Sequence, residues 1–70
     1  MRNPNRLDNF YEEVKNIHKE NFPDWRFGQL MSNFFGWLTS TKGKDIFFPE
    51  EEEMLKLFRE YVDTLKRSTR

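Results

Sequence analysis

Residues 27–41 read FGQLMSNFFGWLTST, fifteen positions without a charged side chain in a chain that is 34% Asp, Glu, Lys and Arg. A segment so unlike its surroundings is built to be covered. It is too short, and too rich in Gln, Asn, Ser and Thr, to cross a bilayer, which takes roughly 20 mostly apolar residues. It therefore marks the interior of a folded domain. At roughly 100° per residue, Phe27, Leu30, Met31, Phe34, Phe35, Trp37 and Leu38 fill a helical arc of about 160°, wider than a simple surface helix needs. The spacing predicts a central, charge-free second helix over residues 24–38. Asp24 is placed to accept backbone N–H groups at its start, where a negative charge also suits the helix dipole.

The other side of this helix carries Gly28, Ser32 and Gly36 four residues apart, with Arg26, Gln29 and Asn33 beside them. Small residues at that spacing let two helix backbones approach closely. Either another helix of the same chain fills the groove, or a second copy does, as a homodimer in which the patch meets itself.

Working outward, Leu7, Phe10, Tyr11, Val14, Ile17 and His18 keep the i, i+3, i+4, i+7 spacing of one helical face, which predicts helix one over residues 7–20. Asn3, Pro4 and Asn5 read as a frayed lead-in, and Asn21 with Pro23 supplies the break. Thr39 to Lys44 reads as a surface loop. Ile46, Phe47 and Phe48 form a short apolar linker from which Phe47 or Phe48 is expected to plug the core. Pro49 and the acids Glu50 to Glu53 suit a helix N-terminus. Met54, Leu55, Phe58, Tyr61, Val62 and Leu65 then mark helix three over residues 49–66, followed by a basic tail. The expectation is one all-α domain spanning residues 1–70, with three helices.

Composition narrows the function classes. Eight Phe, two Trp and two Tyr in 70 residues are enough to build a core in a chain of marginal size, and are unlike a disordered composition. There is no cysteine, hence no disulfide framework and no thiolate metal site. The N-terminus lacks the apolar stretch of a secretory signal, and the reading is a cytoplasmic protein with no membrane segment. Twelve basic residues balance twelve acidic ones, which argues against binding dominated by phosphate charge.

Two segments in order, Pro23-Asp24-Trp25-Arg26-Phe27-Gly28-Gln29-Leu30 and Asp45-Ile46-Phe47-Phe48-Pro49-Glu50-Glu51, fit the patterns P-D-x-R-x-G-Q-L and D-x-F-[YF]-x-E-[DE]. In this the chain resembles a group of short uncharacterised helical proteins of Gram-positive bacteria and their phages, over about residues 7–62. The resemblance implies a small helical protein of phage or mobile-element origin and carries no activity. Glu51 stands where the resemblance leads one to expect aspartate, so it does not extend to how helix three is capped.

Candidate sites are few. His18 is the single histidine; it has no metal-binding partners at a recognisable spacing and reads as a packing residue at the edge of helix one. Glu50 and Glu53 share a helical face, but acids in a first turn are expected from the dipole alone, and no metal or cofactor is assigned. No catalytic residues are assigned, and an enzyme is not expected. Trp25 beside Arg26 at a helix start suits either a binding hot spot or a capped, ion-paired corner of the core. The expected function is protein binding by a small accessory or inhibitory protein that occupies a partner's surface, through Trp25, Arg26, Gly28, Gln29, Ser32, Asn33 and Gly36. The alternative is a nucleic-acid binder that contacts phosphate through Lys42, Lys44, Lys66, Arg67 and Arg70, although helix two lacks the Arg and Lys of a recognition helix.

Overall fold

The computed structural model describes residues 3–68, which form three α-helices and, among the described residues, no strand: α1 (Arg6–Asn21), α2 (Phe27–Ser40) and α3 (Glu51–Ser68). The chain is an all-α helical bundle. α1 opens from a turn in which the Asn3 side chain accepts the Asn5 N–H at 2.9 Å. It closes where the Asn21 amide donates to the Ile17 carbonyl and the Phe22 N–H to the His18 carbonyl.

The start of α2 differs from the expectation. The Trp25 N–H bonds back to the Phe22 carbonyl at 3.1 Å, closing a turn with Pro23 and Asp24 at its centre, where proline's fixed φ is favoured. Asp24 is thereby used up in the turn and does not cap the helix. Arg26 takes the N-cap in an extended conformation, and its N–H donates to the Gln29 side-chain oxygen at 2.8 Å, which is half of a capping box. At the other end, Thr39 and Ser40 return their hydroxyls to the Phe35 and Gly36 carbonyls, carrying the helix two residues past Leu38. Gly43, at φ +65°, then turns the chain through a conformation few other residues adopt. α3 begins at Glu51, not Pro49: the Glu50 carbonyl accepts the Met54 N–H as the first helical bond.

The core is built mainly between α2 and α3. Leu30, Phe34 and Leu38, spaced i, i+4, i+8, are almost fully buried, and they meet Leu57, Phe58, Tyr61 and Val62. Ile17 is the buried contribution of α1, and Phe22 adds a ring from the α1–α2 turn. The main packing surfaces are α3 on α1 and α3 on α2, so α3, not the charge-free helix, is the central element. Arg6 pairs with Glu51 at 3.0 Å and Arg59 with Glu13, binding α1 to α3 along their exposed edges.

The apolar arc of α2 is narrower than expected. Met31, Phe35 and Trp37 flank the buried row, half-covered, and Phe27 is 67% exposed. Phe27 is the first residue of the helix, and because helical side chains tilt toward the N-terminus its ring extends beyond the core. Tyr11 is also exposed, its ring edge-on to Phe10 at 5.1 Å. Phe47 and Phe48 do not plug the core; they are 80% and 78% exposed. The loop that carries them is strapped to the outside of α3 by the Lys42–Glu60 and Lys44–Glu53 ion pairs, which leaves the aromatic pair outside the bundle.

Candidate functional site

The α1–α2 turn is tied down by three contacts that together position Trp25. His18 Nε2 lies 2.7 Å from the Trp25 carbonyl; a carbonyl only accepts, so that nitrogen carries the proton. The Trp25 ring stacks on Phe22, centroids 4.5 Å apart and planes 21° from parallel. Phe22 in turn leans on Tyr61 of α3 at 6.0 Å. His18 thus acts as a strut between the end of α1 and the entry to α2, and Trp25 is held half-buried at the edge of the fold.

From that edge runs the outer face of α2. Gly28, Gln29, Ser32, Asn33 and Gly36 are all exposed. A β-carbon at Gly28 or Gly36 would meet no atom of the rest of the fold within 4 Å, so neither α1 nor α3 fills the small-residue groove. Trp25, Gly28, Gln29, Ser32 and Asn33 line one shallow depression of about 460 Å³. Arg26 lies at the N-cap of the same helix, exposed, and no ion pair holds its guanidinium among the described residues. The face offers amides, a hydroxyl and bare backbone, with Arg26 as its one charge.

Of the residues of the phosphate-contacting alternative, Lys42 pairs with Glu60 at 2.6 Å and Lys44 with Glu53 at 3.2 Å, while Lys66 and Arg67 sit on the last turn of α3. Arg70 lies outside the described residues. Among the described residues no three His, Cys, Asp or Glu side chains come together as a metal site, and no helix is long and apolar enough to cross a membrane.

No protein family, curated protein or solved structure matches the chain.

Phe22 is the functional neighbour that spacing missed, because it falls in the break between two periodic segments. Its signal was the pair Phe22-Pro23 directly before Asp24-Trp25: an aromatic at a helix stop, four residues after His18 and three before a second aromatic.

Proposed function

We propose that this chain is a non-catalytic protein-interaction module that binds a partner protein through the outer face of α2. One observation carries this reading: the face of an exposed helix has no covering element and, apart from Arg26 at its N-cap, no charge, in a chain that is one-third charged. Lys and Glu are the residues depleted at the centres of interfaces, and solvated helix faces are normally rich in them. Gly36 adds to the argument. A glycine inside an exposed helix is destabilising by about 0.5–1 kcal/mol relative to alanine, so its presence favours a purpose other than monomer stability, namely close approach of a partner backbone. Trp25 and Arg26 at the rim are residue types that anchor interfaces, while Gln29, Ser32 and Asn33 supply hydrogen bonds.

In this reading the protein acts in the cytoplasm by occupying its partner's surface, as an accessory or inhibitory protein of a phage or mobile element. Affinity capture from a lysate of the source cells tests it, with the wild type compared against Arg26→Ala and Gly36→Leu. The reading predicts a protein retained by the wild type and lost from both variants. Identical recovery by all three contradicts it.

A further inference from the structure

Phe47 and Phe48 form an exposed aromatic knob, rings edge to face with centroids 5.0 Å apart. The knob is pre-shaped: the Asp45 carboxylate accepts both the Phe47 and the Phe48 N–H at 3.1 Å. Order already present before docking reduces the entropy that docking must overcome. At the other end of α3 lies a mainly apolar groove of about 540 Å³, with Phe22, Trp25, Tyr61, Val62 and Leu65 among its walls and Lys66 at its margin.

The charges of α3 sort the same way. Its first turn, next to the knob, carries Glu51, Glu52 and Glu53, the first and last of them already paired with Arg6 and Lys44, and its last turn, next to the groove, carries Lys66 and Arg67. We infer that the knob docks in the groove of a second copy of this chain, in an antiparallel pair in which each copy's Phe47 and Phe48 seat beside the other's Trp25 and Tyr61. That arrangement brings the acidic end of one α3 to the basic end of the other, twice, and a chain of zero net charge has no overall repulsion to oppose it. A lipid surface is disfavoured by the same charges, since the acids beside the knob repel an anionic leaflet. Each phenylalanine can bury at most about 150–250 Å², and the groove walls Phe22, Tyr61 and Val62 are largely buried already, so the contact is small and the dimer weak, forming in the micromolar range or above.

Sedimentation velocity on the full chain from low micromolar to millimolar concentration tests this. The wild type is expected to move from 8.7 kDa toward twice that mass as concentration rises. Phe47→Ser with Phe48→Ser is expected to hold the monomer mass throughout, with an unchanged urea midpoint because neither ring supports the core. Glu52→Lys and Arg67→Glu each weaken the dimer, and the two together restore it. A wild type that stays monomeric, a knob variant that associates as the wild type does, or association indifferent to both charge reversals each overturns the inference. The knob and groove do not include Gly36, so Gly36→Leu leaves this dimer intact. Self-association lost in Gly36→Leu but kept in the knob variant overturns it in favour of the α2 face.

Discussion

Phe34 of α2 and Phe58 of α3 lie face to face, ring centroids 4.1 Å apart and planes 4° from parallel. The pair sits at the crossing of the two helices that build most of the core, and both side chains are almost fully buried. Truncating either to alanine should cost about 3–5 kcal/mol. A domain of this length has a total stability of only about 3.5–10 kcal/mol at the usual 0.05–0.15 kcal/mol per residue. Phe58→Ala is accordingly expected to lose its cooperative urea transition or retain only a small part of it. Phe34→Leu, which keeps most of the volume, should cost less than about 1.5 kcal/mol by the same measurement.

The glycines should respond with opposite signs. Gly36→Ala places a methyl in open space on a regular helix and should raise stability by about 0.5–1 kcal/mol. Gly43→Ala forces a side chain into the left-handed region at φ +65° and should lower it by about 1 kcal/mol. Paired urea titrations check both. A loss at Gly36 comparable to that at Gly43 would mean that the α2 face is covered in the monomer.

Tyr61 gives the fold a dependence on high pH. Burial beside Phe22, Phe34 and Trp37 disfavours the phenolate and raises its pKa above the ordinary 10.0. Above pH 10 the unfolded chain loses this proton while the folded chain keeps it, so the unfolded state binds fewer protons and stability falls as pH rises. Below pH 10 both states are protonated and the contribution is fully present. Melting temperatures across pH 8 to 11 should decline more steeply for the wild type than for Tyr61→Phe, a comparison that cancels the lysines titrating in the same range.

The ion pairs should matter little. Arg6 and Glu51 are about one-third exposed, at 35% and 28%, and Lys44 and Glu53 about half, so each pair works in a screened, high-dielectric setting. Removing Arg6 or Lys44 is expected to change stability by no more than about 1 kcal/mol, with the difference shrinking in high salt. A thermal melt at two salt concentrations reads both effects.

Periodicity made the three-helix, all-α architecture legible, because long segments with a consistent 3.6-residue repeat leave few other options. It also made visible that α2 has two unlike sides. What it could not supply was which helix the others lean on: an apolar arc gives a direction but not the neighbour found there, and α3 proved central although half of its residues are charged. Residues at element ends were the least readable. Asp24 has the right chemistry for a cap, yet a turn closed by Trp25 and Phe22 uses the chain first. Phe27 falls on the core arc by angle but precedes the core along the axis. Phe47 and Phe48 look like core by hydropathy alone, and only the ion pairs holding their loop outside α3 explain why they are not. For the candidate site, residue types and spacing brought Gly28, Ser32 and Gly36 onto one face, but whether that face was covered required the positions of α1 and α3.

The central claim is that this outer face of α2 is bare in the folded chain. The protein has no cysteine, so Ser32→Cys introduces a single thiol at the middle of the face. The measurement is its rate of reaction with a small disulfide reagent in the folded monomer, compared with the same chain unfolded in urea. Free access predicts a folded rate close to the unfolded one, falling sharply once a captured partner is bound. A thiol that reacts orders of magnitude more slowly in the isolated folded monomer would contradict the account.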